Sequence, residues 1–187
     1  MIRLWSRISY PMKTKTSFTL LKLLAGSVLA LGLARPLAGA EAAGPTNPFE
    51  ARSAPALQAM RARAGQLKIS GVAVLSFSDG PSLLGWTSKM VVVGRDQDAP
   101  SAKDAGANLL AIAYAKSAEM ALTLKDSGHA GRPLMTGETG WQGGVIREWN
   151  GGYLIAAFSG GKSEDDVQVA LAGVAAIISP PAATPRP

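Results

Sequence analysis

The stretch Thr136-Gly137-Glu138-Thr139-Gly140-Trp141-Gln142-Gly143-Gly144, which continues through Val145 to Gly161, decides the fold. It predicts a strand over Val145 to Trp149, a tight turn at Asn150-Gly151-Gly152 and a second strand over Tyr153 to Phe158. Asn-Gly between two β-prone runs is a strong hairpin signal, because both turn residues tolerate a positive φ. The chain is therefore expected to close with an antiparallel hairpin that a glycine pair joins to a last helix.

Upstream of this hairpin, hydrophobic spacing and turn residues predict two helices and a second hairpin. The turn of that hairpin is expected at Asp79-Gly80-Pro81-Ser82. The longer of the two helices is expected to have Ser101 or Asp104 as its N-cap and to end at Gly128. Ser163 is the expected N-cap of the last helix. The predicted elements outside the closing hairpin are a helix over Pro55 to Leu67, strands over Ile69 to Phe77 and Trp86 to Gly94, a long helix over Asp104 to Asp126 and a last helix over Ser163 to Ile178.

Two hairpins separated by a helix predict an α+β fold rather than a parallel sheet. We expect a single antiparallel sheet of four to five strands with helices packed on its faces. The predicted organisation of the chain is a signal peptide at 1–40, a flexible linker at 41–55, the α+β domain at 56–178 and a Pro-rich tail at 179–187.

The N-terminal segment has the three parts of a secretory signal. From Met12, one of two possible starts with Met1, lysines precede an apolar run of about 12 residues, shorter than the roughly 20 that a membrane-spanning helix needs. Ala38-Gly39-Ala40 then resembles a cleavage site, and cleavage after Ala40 or Ala42 fits equally well. The sequence predicts a periplasmic or secreted protein without a membrane anchor after cleavage.

The basic character of the chain belongs to this leader. The chain has 19 Lys and Arg against 13 Asp and Glu; residues 1–40 hold six of the basic residues and no acid, so residues 41–187 have a net charge near zero. An electrostatic case for binding nucleic acid therefore disappears with the leader. The chain has no cysteine, which excludes a disulfide and a cysteine-linked lipid anchor.

The loop before the closing hairpin contains His129, the only histidine, and Met135. A lone histidine can be an axial ligand to a haem, and a methionine thioether can be another. Because the chain has no C-x-x-C-H motif, such a haem would be bound non-covalently. The alternative interpretation is that His129 is an exposed loop residue and that Met135 only packs against its neighbours.

Aromatic residues could line an apolar ligand pocket, or they could pack the sheet or bury a contact between subunits. Trp141 is the most suggestive, because it lies in a glycine-rich loop, and Tyr114 lies on the long helix. The other candidates are Trp86, Trp149, Tyr153 and Phe158.

Lys116 lies within the apolar span of the long helix. Its ammonium could extend to the surface, or it could meet a carboxylate such as Glu119 or Glu138 and have a shifted pKa. Gly160-Gly161-Lys162-Ser163 lies between a strand and a helix, but the glycine that a phosphate-binding loop needs is replaced by Ala156. The acids at 164–166 would also repel a phosphate, so a capped turn is the better interpretation.

Three segments resemble the GlcG/HbpS-like haem-binding family over roughly residues 56–178. They are the Val-Ala-Val strand within Gly71 to Gly80, the lysine helix Ala113-Tyr114-Ala115-Lys116-Ser117-Ala118, and a closing segment with Gly143-Gly144-Val145-Ile146-Arg147, Asn150-Gly151-Gly152, Ala156-Ala157-Phe158-Ser159-Gly160-Gly161, Ser163-Glu164-Asp165-Asp166 and Ala170-Leu171-Ala172-Gly173. The resemblance implies a profilin-like fold, assembly into homo-oligomers, and binding of haem or a related small molecule.

The sequence therefore leaves three functions open. The first is an exported protein that binds haem or another flat apolar ligand near the 129–143 loop and the long helix, with His129, Met135, Trp141, Lys116, Glu138 and Tyr114 as ligand-binding candidates and His129 as the candidate haem ligand. The second is an enzyme of small-molecule metabolism that uses Lys116 or Glu138 as acid or base. The third is an oligomeric interaction module without a ligand.

Overall fold

The structure is a computed structural model that describes residues 48–179. The predicted signal peptide and most of the predicted tail lie outside this range. Within it, no helix is long and apolar enough to cross a membrane. The elements in chain order are α1 (Pro48–Leu67), β1 (Gly71–Ser78), β2 (Trp86–Val93), β3 (Gln97–Asp98), β4 (Ala107–Asn108), α2 (Leu109–Thr123), β5 (Gly144–Trp149), β6 (Gly152–Ser159) and α3 (Ser163–Ile178).

The main sheet has four antiparallel strands in the order β2-β1-β6-β5, and this arrangement confirms the predicted α+β fold. β1 is a central strand, hydrogen-bonded to β2 on one side and to β6 on the other. All eight of its residues are buried, because helices cover both faces of the sheet. This explains why its first half is apolar without alternation.

The three helices lie on opposite faces of the sheet. α1 and α3 pack on the face that carries Leu75 and Phe77 of β1, together with Phe158 of β6. α2 packs on the other face, against Val74 of β1 and Ile155 of β6. Alternate residues of each central strand therefore belong to different cores, as a period of two requires.

The closing hairpin has the predicted tight turn. Asn150 and Gly151 have φ of 50° and 78°, and Trp149 pairs with Gly152 across the turn. Positive φ at both central residues is what a two-residue hairpin loop with native twist requires. A Cβ at Gly152 would collide with the carbonyl oxygen of Ser78, so glycine is also needed there for strand packing.

α1 begins at Pro48, seven residues before the predicted start, so the predicted flexible linker is wrong over residues 48–55. The cause is a tertiary contact of Phe49, which is fully buried and lies 6.2 Å from the ring of Phe77. Arg52 adds a hydrogen bond from its guanidinium to the carbonyl of Ile177, at 2.6 Å. The composition of residues 48–55, rich in Ala and Pro, predicted a linker and did not indicate that this segment packs on the domain.

α2 is shorter than predicted at both ends, and its predicted caps are wrong. Asn108 caps it by accepting a hydrogen bond from the N–H of Ala111 at 2.9 Å, while Ser101 accepts one from the N–H of Asp104 within the preceding loop. The helix ends before Leu124, which adopts the left-handed conformation with φ 53°. The pairing of β3 with β4 uses residues 107–108 and so delays the helix start.

α3 has the predicted bounds, but Lys162 rather than Ser163 is its N-cap residue, without a side-chain cap. The carboxylate of Asp166 instead accepts a hydrogen bond from the N–H of Gly161 at 2.8 Å. This bond ties the first turn of the helix to the glycine pair that follows β6.

Candidate functional site

Two cavities border different sides of α2. Because successive helical residues are about 100° apart, Tyr114, Ala118 and Leu122 lie on one side of the helix and Ile112 and Lys116 on another. The first set lines a groove of about 370 Å³, and the second lines a cleft of about 200 Å³. We call them the apolar groove (Leu83, Trp86, Tyr114, Ala118, Leu122) and the lysine cleft (chiefly Ile112, Lys116, Trp141, Gln142, Ser163, Asp166).

The lysine cleft is built around a buried ion pair. The Nζ of Lys116 donates to Oδ2 of Asp166 at 3.0 Å and to the carbonyl oxygen of Phe158 at 2.8 Å. Lys116 is only 2% exposed and Asp166 only 3%. A Cβ at Gly143 would collide with Nζ of Lys116, so the glycine directly before β5 leaves room for the amine.

Burial opposes the charge on both members of this pair. Desolvation lowers the pKa of Lys116, and the attraction and hydrogen bond of Asp166 only partly offset it. Desolvation likewise raises the pKa of Asp166, against the opposing effect of the Lys116 ammonium. The two pKa values therefore move toward one another, which favours proton sharing between the amine and the carboxylate.

The partner of Lys116 differs from the two that the sequence suggested. The carboxylate that pairs with Lys116 is that of Asp166, whereas Glu119 accepts the N–H groups of Gly128 and Gly140 and Glu138 binds Arg132. The sequence pointed to Asp166 only as one of three acids that would repel a phosphate; in the structure its carboxylate is buried and binds Lys116 and the N–H of Gly161.

Trp141 forms part of the wall of the lysine cleft and is 55% exposed. Gln142 lies beside it, and α3 contributes Ser163. Asp98 adds a carboxylate to the lining, and it forms an ion pair with Arg95 at 2.7 Å. The cleft thus combines the indole of Trp141 with polar side chains and two carboxylates, each of them paired with a cation.

The apolar groove is lined almost entirely by carbon atoms. Trp86 at the start of β2 is 38% exposed and Leu122 of α2 is 57% exposed. Leu83 contributes from the loop between β1 and β2, where its φ of 47° is in the left-handed region. Large apolar side chains that remain exposed together commonly mark a binding surface.

Hydroxyl groups lie at the edge of the groove. The phenol of Tyr114 is 3.3 Å from the hydroxyl of Ser88, and Ser88 pairs with Ser76 of β1. The hydroxyl of Ser76 is fully buried and has no hydrogen-bond partner among the described residues. The groove therefore has an apolar floor with a small polar cluster beside Tyr114.

The loop between α2 and β5 is held by two carboxylates. Glu138 binds Arg132 through both oxygens, at 2.8 and 2.6 Å, and accepts the N–H of Met135 at 2.8 Å. The hydrogen bond from Arg132 is the largest cause that lowers the pKa of Glu138 to about 2. Glu119, fully buried, accepts the N–H groups of Gly128 and Gly140 at 2.8 and 3.1 Å.

His129 and Met135 lie apart from both cavities. His129 is exposed, and its Nδ1 is 3.2 Å from the carbonyl oxygen of Ser127. Met135 is also exposed and lines neither the groove nor the cleft. Over residues 48–179, no cluster of three or more His, Cys, Asp or Glu side chains could hold a metal ion.

The six predicted site residues are therefore divided among four places. Lys116 and Trp141 share the cleft, Tyr114 lines the groove, Glu138 binds Arg132, and His129 and Met135 lie on the loop surface. Of the other aromatic candidates, Trp86 lines the groove, whereas Trp149 and Tyr153 border a cavity of about 480 Å³ at the hairpin ends. Sequence analysis missed Asp166 and Leu122 as lining residues; both had looked like ordinary helix positions.

No protein-family model matches the chain, and no curated protein does. Among solved structures, the chain is similar to the crystal structure of a PduOC:heme complex, with 20% sequence identity and a TM-score of 0.46. The similarity covers 67% of this chain and 92% of the other. At this distance the similarity transfers no ligand, and the site rests on the residues described above.

Proposed function

We propose that this protein binds a flat apolar small molecule, with haem as the first candidate, and that the molecule lies in the apolar groove. The observation that carries the proposal is the cavity of about 370 Å³ between β2 and α2, lined almost wholly by apolar atoms. Its volume is within the usual range for small-molecule sites, about 300–1,000 Å³. Haem is the first candidate because of the family resemblance of residues 56–178.

The residues of the groove fit such a ligand. Trp86 and Tyr114 offer aromatic rings for contact with a planar molecule, and Leu122 offers an apolar contact. Tyr114 is the lining residue whose side chain has an oxygen that could bind iron. We assign it as the candidate haem ligand, because a tyrosine can hold haem iron. His129 and Met135, the candidates from sequence, do not line the groove.

Export to the periplasm or the medium is part of this proposal and is supported by the signal-peptide pattern of residues 1–40. Assembly into a homo-oligomer also belongs to it, because Leu122 of the groove and Leu84, which follows Leu83 in the chain, are exposed apolar side chains. Sedimentation of the purified protein with and without haem tests the assembly.

The test of the ligand is a haem titration of the purified protein, followed by absorbance in the Soret region. Ala118→Glu puts a carboxylate into the groove, and we expect it to weaken binding by at least about tenfold, or 1.4 kcal/mol. Ala111→Glu is the matched control, because Ala111 is exposed on the same helix and lines neither cavity.

Two further variants test the candidate ligands to the iron. We expect Tyr114→Phe to change the Soret position, and His129→Ala to leave both position and affinity unchanged. If the parent protein shows no saturable shift, or if Ala118→Glu binds like the parent, the groove is not a haem site. Loss of binding in His129→Ala alone would place the ligand on the loop.

A further inference from the structure

The lysine cleft is independent of the apolar groove and is not used by the proposed function. A lysine that is 2% exposed is rare unless it is paired, and here the paired lysine also lines a cavity. A buried ion pair is by itself weak support for stability, because desolvation of two charges offsets much of their attraction. The position of this pair at a cleft wall points instead to chemistry at the amine.

We propose that Lys116 is an amine nucleophile, at which a small uncharged aldehyde or ketone condenses in the lysine cleft to form an imine. The geometry that carries this proposal is a buried, hydrogen-bonded amine on a residue that lines a cavity. Lys116 lines the lysine cleft together with Asp166, and its Nζ lies 3.0 Å from Oδ2 of Asp166 and 2.8 Å from the carbonyl oxygen of Phe158.

The hydrogen bonds leave the nitrogen available. An ammonium has three N–H groups, and Lys116 has two acceptors among the described residues, Asp166 and the Phe158 carbonyl. When one proton passes to Asp166, the nitrogen gains a lone pair while the Phe158 carbonyl still orients it. Burial lowers the pKa of Lys116 and raises that of Asp166, and both shifts favour this transfer.

The step balances without an oxidant or a reductant. The nitrogen lone pair forms a bond to the carbonyl carbon, and the π electrons of the carbonyl move to its oxygen. The nitrogen then loses its two protons and forms the C=N bond, while the oxygen takes both protons and leaves as water. Asp166 is within hydrogen-bond distance of the nitrogen and can carry each proton.

The cleft also restricts the class of carbonyl compound. Its volume of about 200 Å³ is below the usual range of ligand pockets, about 300–1,000 Å³, and so suits a molecule of few atoms. Lys116 is the one cation of the lining that the structure describes, and its charge is met by Asp166, so no free cation there would bind a carboxylate. Trp141 and Ile112 supply apolar wall, so a short uncharged aldehyde or ketone fits best.

The experiment is reductive trapping of the purified protein with acetaldehyde and cyanoborohydride at neutral pH, with peptide mass spectrometry to measure the rate of labelling at each lysine. Lys103 is the internal reference, because it is exposed. We expect Lys116 to be labelled severalfold faster than Lys103, because burial lowers the pKa of Lys116 and so raises its fraction of free amine. Glyoxylate, which carries a carboxylate, should lose this preference.

Because this comparison is made within one unaltered molecule, it does not depend on a variant that folds. Labelling of Lys116 that is no faster than that of Lys103 would overturn the proposal and leave the ion pair a structural one. A denatured sample, in which both lysines should react alike, shows that the Lys116 peptide is detected.

A cleft-filling variant tests where the aldehyde enters. Ile112→Trp should slow labelling of Lys116 severalfold and leave Lys103 unchanged, whereas Ala111→Trp, on the exposed side of the same helix, should change neither. Equal labelling of Lys116 in Ile112→Trp and the parent protein would show entry by another route and overturn the assignment of the cleft. Neither result depends on haem binding, so the two proposals fail separately.

Discussion

The two sides of α2 are opposite in what they expose and what they bury. On the groove side, Leu122 is 57% exposed, and Trp86 of β2 faces the same cavity. On the cleft side, Lys116 is 2% exposed and its charge is met by Asp166. Exposed apolar patches and buried charges are the departures from ordinary globular structure that indicate function. The same helix has an exposed apolar side and a side with a buried charge, because Trp86 of β2 lies beside the first and Asp166 of α3 lies beside the second.

The largest effect should come from the cleft side. Lys116→Met leaves the carboxylate of Asp166 buried without its cation, and breaking a buried pair in this way costs about 3–5 kcal/mol. Urea unfolding followed by circular dichroism measures the loss. Leu122→Ala, on the groove side of the same helix, should change the free energy of unfolding by no more than about 0.5 kcal/mol.

A double variant separates the lost charge from the lost packing. Lys116→Met combined with Asp166→Asn removes both charges and keeps a side-chain oxygen for the N–H of Gly161. We expect it to recover most of the stability lost in Lys116→Met, because uncharged replacements of a buried pair are often neutral. If Lys116→Met were as stable as the parent protein, the two sides of α2 would not differ in their contribution to the free energy of unfolding.

A smaller effect is expected at Glu119, which holds the loop after α2. Glu119→Gln replaces one of two accepting oxygens by a donor, so one part-buried N–H, of Gly128 or of Gly140, loses its partner. The cost of a buried unsatisfied group is about 1–3 kcal/mol. Faster hydrogen exchange at these two amides, together with urea unfolding, checks it. Glu164→Gln, at an exposed position of α3, should leave both measurements unchanged.

The smallest expected effect is the loss of the Glu138 carboxylate charge at low pH. Because the pKa of Glu138 falls from an ordinary 4.5 to about 2, its contribution to stability is fully present above 4.5 and is lost as the pH falls through about 2. The amide resonance of Met135, which donates to this carboxylate, should therefore titrate near pH 2 in an NMR series. In Glu138→Gln it should not titrate. A midpoint near 4.5 would mean that Arg132 does not hold the carboxylate in solution.

Local signals were enough for the four strands of the main sheet and for the turn of the closing hairpin. The Asn150-Gly151 hairpin and the bounds of α3 are as predicted, because positive φ and an acidic helix start are properties of a few adjacent residues. The starts of α1 and α2 could not be predicted in this way. They depend on the burial of Phe49 and on the pairing of β3 with β4, which are contacts between distant segments.

The candidate site was predictable only in part. A lysine within an apolar helical span indicates an unusual environment, and Lys116 was identified by that signal alone. Its partner could not be, because Asp166 is 50 residues away and looks like any acid in a first helical turn. His129 and Met135 were chosen for the chemistry of their side chains, and neither lies in the groove or the cleft.

The sequence by itself determined an α+β chain with two hairpins, a glycine-rich approach to the last hairpin and a lysine in an apolar helix. Those features follow from backbone preferences and from the spacing of apolar residues, which act over a few positions. Only the tertiary structure decided that Lys116 meets Asp166 beside a cleft, and that Trp86 and Tyr114 share a groove. Both depend on how the sheet and the helices pack, because packing determines which side chains from distant parts of the chain meet in the core or line the same cavity.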